Sequence, residues 1–185
     1  RVTSKLARVA ALTTVPVFAL AIASCSSTSG TSNGSSSSAS ASSSASPSLK
    51  TTNLTANDVT VTGAGANMNV TFPFPSSASA LSQKDVKVGT GAAAKLGSVI
   101  TVNYYLAGAI SGQKIESSFG AQPAQFPLED GGLIQGWIQG IPGMKVGGER
   151  ILVIPGNLAY GPQGKQPQIA PDETLVFVVQ LVKIG

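Results

Sequence analysis

Apolar positions recur along this chain with two different periods, and they divide it into one helix, several strands and a first quarter that belongs to neither. Ile134, Trp137, Ile138 and Ile141 fall at i, i+3, i+4 and i+7, one apolar face of a short helix. Gly136 and Gly140 lie inside it, each costing about 1 kcal/mol against alanine, so tertiary packing has to hold the segment helical. Ile141-Pro142-Gly143 ends it. A period of two governs Val99 to Leu106, where Ile100, Val102, Tyr104 and Leu106 alternate with Val99, Thr101, Asn103 and Tyr105, predicting a strand with one buried face. Leu152 and Ile154 continue the inward set. Thr174 to Leu181 is apolar on both faces, with Leu175, Phe177, Val179 and Leu181 in one register, as a central strand requires. Together these predict an α+β fold, a single antiparallel sheet whose apolar face is covered by the one helix on offer.

Two shorter alternations, Asp58 to Thr62 and Met68 to Phe72, precede Pro73-Phe74-Pro75. They predict an N-terminal extension over residues 50–80, either a hairpin packed on the main domain or a piece of edge strand, the prolines confining it to an edge. The main domain is then residues 81–185. From Ser26 to Ser48 the chain is almost entirely Ser, Ala, Thr, Gly and Asn, which buries too little apolar surface to offset its ordering entropy. Residues 25–49 therefore read as a flexible tether, with a mean span of roughly 25–30 Å.

The apolar run Val9 to Ala23 follows Arg1, Lys5 and Arg8; it is short for a bilayer span and matches the core of a signal peptide, residues 1–24. Cys25, the single cysteine, comes directly after it. Leu20-Ala21-Ile22-Ala23-Ser24-Cys25 resembles a bacterial lipoprotein signal, whose cysteine becomes the lipidated first residue, although Ile22 stands where leucine is usual. Ala21-Ile22-Ala23 also fits an ordinary A-x-A cleavage site. Lipidation is favoured, because an exposed unpaired cysteine is otherwise unexpected on an exported protein. It predicts an extracytoplasmic protein anchored to the bacterial cell membrane through its lipid; the other cleavage predicts a secreted one.

Charge alters the picture little. The chain carries a formal +4, but removing Arg1, Lys5 and Arg8 leaves nine basic against eight acidic residues and no basic cluster, which argues against a nucleic-acid partner. With no histidine and one cysteine, neither a structural zinc site nor an internal disulfide is expected. No cofactor fingerprint occurs, and Gly91 to Gly97 lacks the terminal G-K-S/T of a phosphate loop and reads as a turn between strands.

The strongest chemical signal is a series of blocks. V-N-Y (Val102 to Tyr104), G-Q-K-I-E-S-S (Gly112 to Ser118), F-P-L (Phe126 to Leu128), L-I-Q-G-W (Leu133 to Trp137) and M-K-V-G-G-E-R (Met144 to Arg150) are followed by L-A-Y-G (Leu158 to Gly161), I-A-P (Ile169 to Pro171) and T-L-V-F (Thr174 to Phe177). In order and spacing they resemble the FKBP-type peptidyl-prolyl isomerases. The resemblance implies a five- to six-stranded antiparallel sheet wrapped around a short helix, with a pocket between them. Read alone, Trp137 in its helical stripe is a core residue; the resemblance makes it the pocket floor.

It further implies a catalytic set of Tyr160, Trp137, Phe177 and Glu116, with Glu116 standing where the family carries an aspartate. Tyr104, Ile115, Phe126, Leu133, Ile134 and Ile169 would bind substrate, the Tyr160 hydroxyl and the Ile169 backbone N–H donating to its carbonyls. Tyr104 and Phe177 also fit plain core positions, whereas a tyrosine in a Gly-flanked loop fits packing poorly. Ile115 replaces a usual phenylalanine, Ala124 a common aromatic, and Gly120 stands where some members carry an arginine that pairs with the aspartate. These departures predict a pocket loose at one wall, with weakened catalysis, and a Glu116 without that partner. The implied partners are proline-containing polypeptide clients and macrolide inhibitors, the implied state a monomer. A non-catalytic chaperone or adaptor holding proline segments in the same groove is the competing function, and an inert surface lipoprotein the third.

Overall fold

In the computed structural model, which describes residues 52–185, the two apolar runs become the two longest strands. In chain order the elements are β1 (Thr52–Asn53), β2 (Thr60–Thr62), β3 (Asn69–Thr71), β4 (Ser76–Ser77), β5 (Ser82–Lys87), β6 (Val99–Gly108), β7 (Lys114–Ser117), β8 (Ala124–Pro127), α1 (Gln135–Gly140), β9 (Glu149–Ile154) and β10 (Leu175–Ile184). The signal segment 1–24, Cys25 and the tether 25–49 lie outside the described residues.

Six strands form an antiparallel sheet in the order β5-β9-β10-β6, after which β7 and β8 pair with successive halves of β6. The central position expected for the C-terminal run is observed: Phe177 sits between Leu106 and Leu152. On one face Ile100, Val102, Leu152, Leu175, Phe177 and Val179 meet α1 through Trp137, Ile138 and Ile141.

The helix glycines have a second cause that their propensity conceals. A Cβ on Gly136 would overlap Ile154, and one on Gly140 would overlap Leu152. The helix therefore lies against β9 closer than any larger residue permits, and packing supplies what propensity withholds. Arg150 completes this joint. Its guanidinium binds both oxygens of Asp85 on β5, at 2.6 and 3.1 Å, and donates to the Gly140 carbonyl at 2.8 Å, satisfying a carbonyl at the helix end.

The expectation of one buried face on β6 is corrected. Tyr105 and Ala107, on its other side, are buried with Ile151, Val153, Val176 and Val178 in a second core. The covering layer is the N-terminal segment: Leu54, Ala56, Val59 and Val70 pack there, and β2 pairs with β3 at Val61 and Val70. Of the two arrangements open for this segment the hairpin is the one formed, and the prolines lie between β3 and β4 instead of in an edge strand. Hydrogen bonds from Ser76 N–H to Ala109 O (2.9 Å) and from Ala78 N–H to Thr174 Oγ1 (2.8 Å) fasten it to the sheet.

Candidate active site

On the helix face the sheet is longer than the helix that covers it. α1 has six residues against ten-residue strands, and the uncovered remainder is a cavity. Trp137 is its floor, 3% exposed, and three rings stand against the indole edge to face: Phe177 at 5.4 Å, Phe126 at 5.5 Å and Tyr104 at 6.0 Å between centroids. Such pairs contribute about 0.5–1.5 kcal/mol each beyond area burial, so the box is rigid as well as apolar. The indole Nε1 is the one buried side-chain polar atom without a partner among the described residues. The cavity they enclose measures about 290 Å³.

Two further depressions adjoin it. One, also about 290 Å³, is walled by Leu106, Ile115 and Ile169 and rimmed by Glu116, Lys165 and Gln168. The other, about 440 Å³ and shallow, is formed by Phe126, Leu133, Ile134, Gln135 and Ala159 beside Gly131 and Gly132. Tyr160 is the single residue that lines all three. It is 36% exposed and sits where the chain leaves one 3₁₀ turn for the next, with Gly161 following in a left-handed conformation that a side chain would resist. Its phenol therefore belongs to a groove and not to the core.

Tyr104 on β6 is held by the E-S-S block. Ser118 accepts the Tyr104 N–H at its Oγ (3.0 Å) and donates its own N–H to the Tyr104 carbonyl (2.9 Å). The Tyr104 hydroxyl donates to Glu116 Oε1 at 2.6 Å. Desolvation first, and the hydrogen bond to Glu116 second, push the phenol above its ordinary range, so it stays protonated and remains a donor. Glu116 is thus not without a partner: with glycine at position 120, the Tyr104 hydroxyl is what it binds.

A second expectation changes at Ile169. Its side chain lines a wall at 2% exposure, but its N–H donates to the Lys165 carbonyl (2.9 Å) and its carbonyl accepts the Lys165 N–H (2.9 Å). The loop closes on itself and consumes the donor. The helix start offers another. Ile134 is the N-cap, its carbonyl accepts Trp137 and Ile138 N–H, and its own N–H has no acceptor among the described residues. Ala124, expected in the thin wall, pairs with Val102 and lines none of the three depressions. Ile115 does line the wall.

Leu106, Lys165, Gln168 and Glu173 escape the sequence reading as site residues. Leu106 is two positions from Tyr104 on the same strand face, a signal that was present. For the other three there was none. Glu173 is 6% exposed and accepts N–H bonds from Ala170 (2.8 Å) and Ile110 (3.3 Å), clamping the base of the loop to the β6–β7 turn. A Cβ on Gly108 would overlap its carboxylate.

The arrangement is an aromatic-walled box with donors at its rim and a groove on either side. A family model described as FKBP-type peptidyl-prolyl cis-trans isomerase matches residues 90–182. An FK506-binding protein of Streptomyces anulatus is 43% identical over 106 residues, 56% of this chain and 86% of the relative. A probable FK506-binding protein of Corynebacterium glutamicum is 46% identical over 99 residues, 53% and 81% of the two chains. Among solved structures, the peptidyl-prolyl cis-trans isomerase of Pseudomonas syringae pv. tomato is similar with a TM-score of 0.52 at 29% identity, covering 59% of this chain and 78% of its own. The matched span contains every ring of the box, and the chain belongs to the FKBP-type peptidyl-prolyl cis-trans isomerases.

Proposed function

We propose that the aromatic box seats the prolyl ring of a polypeptide client and lowers the barrier to rotation about the preceding amide. The observation that carries this is the shared position of Tyr160, the one side chain common to the box and to both flanking depressions. A chain threaded through the groove would pass this hydroxyl whichever way it runs.

Rotation about an X-Pro amide faces a barrier near ~18–20 kcal/mol, and no bond is made or broken. The twisted amide has lost resonance and part of its polarity, so a water-poor cavity favours it over the planar form. Trp137 supports the ring, and Tyr104, Phe126 and Phe177 exclude water. The Tyr160 hydroxyl and the Ile134 N–H hold flanking carbonyls. Every ~1.4 kcal/mol of preference for the twisted form accelerates exchange tenfold. The same cavity would accept a macrolide of the FK506 type, which would compete with clients.

The setting we infer is extracytoplasmic, with lipid on Cys25 anchoring the domain to the membrane, the tether 25–49 lifting it clear, and exported polypeptides as clients. Labelled fatty acid should enter the full chain and be lost in Cys25→Ala; equal labelling of both would remove the anchor. Acceleration of exchange in short X-Pro peptides, followed by NMR, should fall in Trp137→Ala and in Tyr160→Phe. Binding of proline peptides without any acceleration would instead make the protein an adaptor.

A further inference from the structure

Lys165 is a cation with an unusual position. It lines both the box and the Ile115 depression, and its ammonium lies 5.8 Å from the centroid of the Tyr160 ring. That places the charge beside the one residue shared by all three compartments. Its backbone is fixed from both sides: Lys165 N–H donates to Ile169 O, and the N–H groups of Ile169 and Gln168 donate to Lys165 O, at 2.9, 2.9 and 3.1 Å. Ile169 anchors this closed loop in the core, and Glu173 clamps its base.

The charge is also uncommitted. Arg150 with Asp85 forms the one salt bridge among the described residues, so no carboxylate lies within ion-pair distance of Lys165. Among the described residues Glu116 is the only other charged one lining either cavity, and its Oε1 accepts the neutral Tyr104 hydroxyl, a bond that cancels none of its charge. At the far end of the groove Gln135, which lines that compartment, donates to Asp130 at 3.0 Å, so an acidic group stands at that end and the cation at the other. Both cavities therefore carry one charge of each sign, and the cation is placed beside Tyr160, where a residue adjoining the seated proline would lie.

We propose that Lys165 is a specificity-determining residue that makes this site favour clients with an acidic residue next to the proline. The proposal rests on the box being the prolyl seat. A single partly solvated charge pair several ångströms apart changes kcat/KM by roughly three- to ten-fold, not by orders of magnitude. The effect should fade at about 0.5 M salt, where screening extends over only a few ångströms.

The test uses the full chain and paired peptides with Glu or Lys either directly before or directly after proline. Exchange is measured by protease-free NMR, and binding by the fluorescence of Trp137, the only tryptophan. On one side of proline, Glu should exceed Lys by that factor in kcat/KM; Lys165→Arg should keep the order, Lys165→Gln level it and Lys165→Glu reverse it. A merely structural lysine would not reverse a ratio. Equal rates for Glu and Lys on both sides, or a preference that survives in Lys165→Gln, overturn the proposal while leaving the isomerase intact. Absence of turnover with the same charge order in binding would sink catalysis but keep the selectivity, and absence of both would remove the two together.

Discussion

The two faces of the sheet are covered in different ways, and only one leaves a cavity walled by aromatic rings. On the helix face a six-residue helix, a tryptophan and three other rings meet ten-residue strands, and their bulk cannot tile the area, so a cavity remains. On the opposite face short segments of the N-terminal extension lay Leu54, Ala56, Val59 and Val70 against Ala107, Val153, Val176 and Val178. These aliphatic side chains interdigitate around Tyr105, and the space left on this side is an open depression of about 310 Å³ at the β5 edge, with no aromatic ring in its lining. β10 serves both, turning Phe177 to the cavity and Val176 and Val178 to the closed side. The difference separates function from stability within one strand: ligand chemistry arises where packing stops short, and the closed face holds the sheet that makes the gap possible.

The comparison is broken most severely at the joint between helix and sheet. Arg150→Ala removes the partner of Asp85 and leaves the Gly140 carbonyl without its donor; breaking a buried pair costs about 3–5 kcal/mol, and Asp85, with 37% of its side chain exposed, places this at the lower end. Urea unfolding should show the midpoint drop, and an unchanged midpoint would mean the ion pair does not hold the helix. Next comes the closed face. Leu54 is 1% exposed, and Leu54→Ala should cost about 2–4 kcal/mol while the folded protein keeps its kcat/KM on X-Pro peptides. A parallel loss of turnover would show that the two faces are coupled after all.

What could be read from the residues follows the same division. The helix stripe, the β6 alternation and the two-sided β10 run were legible because each is a period written in consecutive residues. The second core was not, since strands of two or three residues carry too few repeats to show which face is buried, and Tyr105 looked like an outward position. Gly136 and Gly140 read as penalties because a sequence does not display the Ile154 and Leu152 side chains that abut them. In the site, the aromatic floor and Tyr160 came from motif blocks in register. The Tyr104 bond to Glu116 depends on the irregular register of β6 with β7, and the self-closed Ile169 N–H and the Lys165 ammonium on loop conformation, for which no spacing rule exists.

A smaller effect separates the loop from the box. Glu173→Gln keeps the size of the side chain but puts an amide donor toward one of two N–H groups, which loses a charge-assisted hydrogen bond worth about 1–2 kcal/mol and loosens the segment bearing Lys165 and Ile169. KM should rise more than kcat falls, because the floor is untouched. A change confined to thermal stability would limit Glu173 to a structural role.

The smallest expected effect is a gain. Ile115 is half-buried, packs against the main core and walls the depression beside the box, in the place where the resemblance leads one to expect a phenylalanine. An isoleucine is shorter along that direction than an aromatic ring, and it presents no face for the edge-to-face contacts that stiffen the rest of the site. Ile115→Phe should extend the box toward Leu106 and Tyr160, exclude more water from the twisted amide, and raise kcat/KM by roughly two- to five-fold, a gain of at most about 1 kcal/mol in the barrier. The side chain stands at a partly open wall instead of in the closed core, so the larger ring has room that the opposite face of the sheet would not give it. Peptide exchange kinetics at matched folded fraction decide the matter, and unchanged turnover would show that the wall at Ile115 does not limit the reaction.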